Sequence, residues 1–187
     1  MTSIKFGTSG WRGIIAQDFT FENVRLATQG VANYLNTEIR NEQSALHFRD
    51  PVVIVGHDTR FLAREFALAV CEVLAANDIQ PLLCERDTPT PVIAYAIRDR
   101  KAIGGINMTA SHNPAVYQGL KFSTYNGAPA TPEVTQQIEV NIVKLQSQNW
   151  SFKGLPLGAF QAKTINPLPD YFKQINKLIK FAVLKKA

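Results

Sequence analysis

The sequence predicts an α/β fold in which helices cover both faces of one sheet. Two observations lead there. Short apolar runs alternate along the chain with longer segments of helical periodicity, the pattern of a sheet and its covering helices. Within this pattern Val52-Val53-Ile54-Val55 is apolar at every position, as a parallel strand buried on both faces requires. At 187 residues the chain suffices for one domain with an appendage and a real core.

Each element has its own reason. Ile4-Lys5-Phe6 reads as a short strand entering a glycine-rich loop, Gly7 to Gly13. Thr20 can cap a helix to about Leu35, with Val24, Ala27, Val31 and Tyr34 on one face. Residues 36–50 are polar and irregular and read as a surface loop. The Val52–Val55 strand leads into Gly56-His57-Asp58-Thr59-Arg60 and a helix from about Leu62 to Asn77, whose stripe is Phe66, Val70, Val73 and Leu74. The strand–glycine–helix order predicts an anion-facing helix start.

Ile79–Cys84 is the next strand, and Thr88-Pro89-Thr90-Pro91 opens a helix near Val92–Arg98 with Pro91 in its first turn. Ala102–Met108 reads as a short buried strand. Leu120–Thr124, Asn126-Gly127 and Ala128 predict a hairpin. Thr131-Pro132-Glu133 opens a helix to about Leu145, with Ile138, Ile142 and Leu145 inward. Beyond Asn149 the composition changes: Gly154, Pro156 and Gly158 mark a connection, Ala159–Thr164 a strand, and Pro169 a helix to about Phe181. The expected organisation is therefore a body, 1–150, and an extension, 151–187.

Charge narrows the function classes. The net charge is +5, but residues 1–150 hold 13 Lys/Arg against 14 Asp/Glu, a net of −1. Residues 151–187 hold seven Lys against Asp170, so the excess belongs to the extension. A nucleic-acid domain should carry its basic face on the folded body, so no nucleic-acid partner is expected. No apolar run nears the length of a membrane span and no secretory signal is present, which predicts a cytoplasmic protein without a membrane partner. Cys71 and Cys84 read as reduced core residues.

The chemistry concentrates at Thr109-Ala110-Ser111-His112-Asn113-Pro114, the polar loop after the Ala102–Met108 strand. In open α/β sheets ligands bind beyond the carboxyl ends of strands. Taken alone, the loop fits either a capped turn or a polar site. A serine hydrolase would need a G-x-S-x-G elbow, which is absent. Lys121 and Arg12 are cations that loops and turns can bring to Ser111, and phosphoserine, at about −1.5 to −2 charges, would need such partners.

This stretch resembles the phosphoserine loop of the α-D-phosphohexomutases, the phosphoglucomutase/phosphomannomutase family. Gly7-Thr8-Ser9-Gly10-Trp11-Arg12-Gly13, Gly56-His57-Asp58-Thr59-Arg60 and Gly119-Leu120-Lys121-Phe122 match the family in its own order. The resemblance implies the family's amino-terminal domain I, a three-layer α/β/α sandwich with a mixed, mostly parallel sheet. It makes 151–187 the linker and first helix of a truncated second domain. It implies an isomerase that interconverts hexose 1-phosphate and hexose 6-phosphate, glucose or mannose, through a phosphorylated serine. Ser111 is then the phosphoryl carrier and the metal-facing group.

On the same resemblance Lys121, Arg12 and His112 join Ser111 as catalytic residues, and Thr109, Asn113, Arg60 and Asp58 support the loop. Asn113 is expected to bond local amides, and Asp58 to pair with Arg60. The resemblance also implies Mg2+ and a hexose 1,6-bisphosphate activator. The family draws its metal carboxylates from an Asp-x-Asp-x-Asp loop in its second domain, and this chain has no such triplet. The isolated chain is therefore expected to be inactive, with domains II–IV as its missing partners. The alternative is a non-catalytic, truncated phosphosugar-binding module. Tyr171, Phe172, Ile175, Leu178 and Ile179 form an apolar stripe, open to a second domain, to this domain or to self-association through the C-terminal helix.

Overall fold

A computed structural model describes residues 4–7, 10–47, 49–152 and 160–184. Its centre is a six-stranded mixed sheet in the order β1-β5-β4-β2-β3-β6. The strands are β1 (Trp11–Ile14), β2 (Val52–His57), β3 (Gln80–Cys84), β4 (Gly104–Met108), β5 (Tyr117–Thr124) and β6 (Lys163–Ile165). The four strands β4, β2, β3 and β6 run parallel, while β5 is antiparallel to both β4 and β1. The helices are α1 (Phe21–Arg40), α2 (Ala63–Ala75), α3 (Thr90–Asp99), α4 (Pro132–Ser147), α5 (Leu168–Leu178) and α6 (Phe181–Leu184).

The period of two along β2 explains the layers. Val53 and Val55 enter one core with Val24 and Leu35 of α1, Phe66 and Leu74 of α2, and Ile138 and Ile142 of α4. Ile54, between them, enters the opposite core with Ile93 and Ile97 of α3. Helices therefore cover both faces, and the α/β/α sandwich with a mixed, mostly parallel sheet is the architecture found. Cys71 and Cys84 are both buried and free.

Several elements differ from the sequence reading, each for a local reason. Ile4 and Phe6 are buried but form no strand; the Phe6 amide donates to Glu139 Oε1 at 2.6 Å. A tight Gly7–Gly10 bridge then turns the chain, and the strand is Trp11–Ile14, inside the expected loop. Thr8 and Ser9 lie outside the described residues. Helix α1 continues to Arg40, because its polar last turns still find partners, as where Asn36 donates to the Asn77 carbonyl.

Gly56 lies within β2, not at a helix start: a Cβ there would stand 2.2 Å from Ile93 Cδ1, so the glycine makes room for α3. The Asn126-Gly127 turn forms, with Gly127 at φ 81°, but returns only a single bridge, Ser123 to Pro129. Proline has no N–H with which to extend a ladder. Thr131 stands at the N-cap of α4 without a capping bond from its side chain. The expected strand at 159–164 is β6, shorter and shifted to Lys163–Ile165; Gly154, Pro156 and Gly158 lie outside the described residues.

Candidate active site

The serine loop leaves β4 at its carboxyl end, and three elements hold it there. Thr109 donates its amide to the Gly119 carbonyl of β5 at 2.8 Å. Its hydroxyl accepts the Ser111 amide at 3.1 Å, and Asn113 donates its amide to the Ala110 carbonyl at 3.1 Å. Ser111 itself is exposed and adopts φ 58°, left-handed backbone that a side-chain-bearing residue seldom takes. Such a conformation persists where its surroundings over-determine it.

Arg60 supplies much of that determination. Its guanidinium donates to four carbonyls of the loop: Pro114 at 2.9 Å, Tyr117 at 3.1 Å, Ser111 at 3.0 Å and Asn113 at 2.7 Å. Its Nε lies 3.4 Å from Asp58 Oδ2, and its amide donates to Asp58 Oδ1 at 2.9 Å. A guanidinium has five N–H donors; four of them go to these carbonyls, and the Nε that carries the fifth is ion-paired with Asp58. Arg60 is thus a clasp on the loop, its two terminal nitrogens both spent on carbonyls. Asp58 in turn is anchored, its amide donating to the Met108 carbonyl at 3.0 Å.

The remaining cations come from the antiparallel side of the sheet. Arg12 stands opposite Gly119, and Lys121 opposite Asn107, so the period of two puts both on one face. Arg12 Nη1 donates to Asn113 Oδ1 at 2.6 Å. Asn113 therefore turns its side chain to a residue 101 positions away, where sequence suggested local amides. Burial pushes the Lys121 ammonium pKa below its ordinary value, and the Arg12 charge adds to the effect. Two glycines permit this close assembly. A Cβ at Gly10, φ 110°, would stand 2.4 Å from the Leu120 carbonyl oxygen and 3.0 Å from Lys121 Cγ. One at Gly119 would stand 2.6 Å from the Thr109 oxygen.

His112 places Nδ1 3.5 Å from Ser111 Oγ, the outer limit of a hydrogen bond, with both side chains exposed. Among the described residues no carboxylate hydrogen bond orients the ring in the manner of a hydrolase triad. Trp11, inside the expected glycine-rich loop, is buried and stacks on Phe19 at 4.5 Å.

Two polar residues have positions to which the sequence reading gave no role. Asn107, 6% exposed, donates from Nδ2 to Thr90 Oγ1 at 3.0 Å and so fastens the start of α3 to β4 beside Lys121. Its signal was available, since it is the one polar side chain in Ala102–Met108. His57 is buried with Nδ1 3.0 Å from the Asp58 oxygen, and its own carbonyl accepts the Thr88 amide at 2.9 Å. This second bond ties the proline-threonine turn to the same end of the sheet.

The arrangement is an exposed hydroxyl on a fixed backbone with cations on neighbouring strands, chemistry that suits a transferable phosphoryl group. It is not a magnesium shell. Magnesium takes several oxygen ligands, carboxylates among them. Among the described residues no group of three His, Cys, Asp or Glu comes together, and Asp58 is engaged by Arg60. No described helix is long and apolar enough to cross a membrane.

Comparison with known proteins shows the family. Residues 3–149 match the family model described as phosphoglucomutase/phosphomannomutase, alpha/beta/alpha domain I. A phosphoglucomutase of Staphylococcus epidermidis is 32% identical over 189 residues, covering 95% of this chain and 32% of its own length. A Thermus thermophilus protein named as a phosphomannomutase superimposes with a TM-score of 0.80 at 32% identity, over 98% of this chain and 38% of its own. The open form of Paramecium parafusin, a phosphoglucomutase, gives 0.77 at 27% identity, over 97% of this chain and 36% of its own. The chain thus spans about a third of the length of the relatives it matches. With fold, loop and family model in agreement, the chain belongs to the phosphoglucomutase/phosphomannomutase family, as its amino-terminal α/β/α domain I.

Proposed function

We propose that this chain is the phosphoserine-bearing domain of a hexose phosphate mutase. In that reaction a sugar hydroxyl attacks the phosphorus on Ser111, the Ser111 Oγ–P bond breaks, and the bisphosphate formed returns its other phosphate to Ser111. Arg12 and Lys121 neutralise charge on the moving group, Lys121 with a lowered proton affinity that suits acid–base exchange with the sugar oxygen. His112 orients phosphate or sugar. Thr109, Asn113, Arg60 and Asp58 keep the loop in place.

The observation that carries this reading is Ser111, exposed in left-handed backbone and clasped by Arg60, with Arg12 reaching the same loop. Glucose or mannose phosphates are the proposed substrates, with a hexose 1,6-bisphosphate as activator and a cytoplasmic setting. Mg2+ would find one ligand here, the Ser111 phosphate, and its others in further domains. Residues 151–187 would lead into the second domain, with the apolar face of α5 packing there or on another copy.

Labelled hexose 1,6-bisphosphate, incubated with a longer mutase carrying this domain, is expected to leave label on Ser111. Label on another residue, or label kept by Ser111→Ala, would overturn the assignment. The second reading, a phosphosugar-binding module without turnover, is favoured by the absence of a group of metal-ligating side chains among the described residues. Glucose 1-phosphate turnover by the 187-residue chain alone would refute it.

A further inference from the structure

The end of the sheet opposite Ser111 carries a second concentration of positive charge. An open groove of about 680 Å³ lies at the amino-terminal ends of β2 and β4. It is lined by Arg49, Arg98, Arg100 and Lys101 against one carboxylate, Asp50, a local excess of three positive charges. Small-molecule sites commonly occupy ~300–1,000 Å³, so the space suits a metabolite.

The Arg49 side chain and the backbone that carries the other cations are held in place. The Arg49 guanidinium lies 4.8 Å over the Tyr125 ring and donates to the Ala45 and Lys101 carbonyls at 3.2 and 3.3 Å. Two of its five donors are engaged and the others remain for a ligand. Lys101, at φ 53°, ends α3 in a tight turn in which the Ala102 amide donates to the Ile97 carbonyl at 2.9 Å. That turn fixes the backbone of Arg100 and Lys101 at the groove. Asp99, between the cations in sequence, accepts the Tyr95 hydroxyl at 3.2 Å and does not line the groove.

Among the described residues neither Arg98, Arg100 nor Lys101 is in an ion pair. Asn126 accepts from Thr124 Oγ1 and the Ala128 amide, which orients its Nδ2 as a further donor. One cation would suffice to answer the dipole at the carboxyl end of α3. Four, converging from two segments on one groove, exceed that need.

We propose that this groove binds a small phosphorylated anion, at a site separate from the serine loop. Arginine is suited to bidentate phosphate contacts, and the cations are confined to one groove. A nucleic acid would instead want a basic stripe along a face. The proposal does not depend on mutase chemistry and stands or falls apart from it.

The test is a titration of the 187-residue chain with inorganic pyrophosphate at fixed ionic strength, followed by amide NMR. Shifts are expected at Arg98–Ala102 and Tyr125–Asn126. The pair Arg98→Ala with Lys101→Ala should weaken this binding at least about tenfold, as loss of charge-assisted contacts would. Arg12→Ala with Lys121→Ala should leave the groove shifts unchanged. Both double variants can be checked for native spectra before titration. Shifts confined to the Arg12 end, equal shifts with chloride, or an unweakened Arg98/Lys101 variant would each overturn the proposal. So would an oligonucleotide that binds the groove more tightly than pyrophosphate.

Discussion

Helices α2 and α5 carry apolar residues at the same helical spacing and end in opposite situations. Phe66 of α2 is 1% exposed, edge-on to Phe19 at 5.0 Å and tilted on Phe21 at 4.5 Å. In α5 no described residue is fully buried, Phe172 and Leu178 face solvent, and the ring contact to α3 is Tyr171 on Tyr95 at 5.8 Å. An apolar stripe states what a helix can bury. Whether it does so depends on a second surface arriving, and α2 meets both α1 and the sheet.

Two cations near the serine loop make a parallel contrast. Arg60 is wholly engaged by backbone carbonyls and Asp58, whereas Lys121 shows no such engagement and is half-buried beside Arg12. One charge builds the loop and the other is available to what binds there.

Removing Phe66 should give the largest loss of stability. Phe66→Ala is expected to cost about 3–5 kcal/mol in denaturant unfolding, as aromatic truncation in a packed core does. A cost below about 1 kcal/mol, the range of a surface substitution, would erase the contrast with α5.

Arg60→Ala comes next, and its main effect should fall on function. In a longer mutase carrying this domain, phosphoryl transfer should drop about 100-fold, since a misplacement of around 1 Å costs about that much. Arg60→Lys should not restore the rate, because an ammonium cannot span four carbonyls with a rigid fork. Full recovery with lysine would show that charge alone was needed.

Lys121 should show itself in the pH dependence of stability. Its folded pKa lies below the unfolded value near 10.5, so the cost of the buried charge is fully present at neutral pH. Between the two values the unfolded chain binds more protons, and stability rises with pH across that alkaline window. Lys121→Met should remove that rise, as read from denaturant midpoints. An unchanged slope would place the lysine in solvent.

The smallest effect belongs to Leu178, 70% exposed. Leu178→Ser should change the stability of this chain by about 0.5 kcal/mol or less. A loss of about 2 kcal/mol or more, the range of core truncations, would mean that α5 is packed in solution.

Much of this molecule is legible in the order of its residues. The run Val52–Val55, apolar without a break, requires cover on both faces, and the alternation of runs with amphipathic segments supplies it. The four family motifs contain Ser111, Arg12, Arg60 and Lys121; strand-end position accounts for Ser111 and Arg60, while Arg12 and Lys121 lie within strands. What sequence could not decide was partnership across distance. That Asn113 takes Arg12, that Arg60 closes on four carbonyls, and that Gly56 yields to Ile93 depend on side chains brought together from 37 to 101 positions apart. The same limit governs α5: its periodicity is local, but burial is a property of two surfaces, and a sequence pattern describes one.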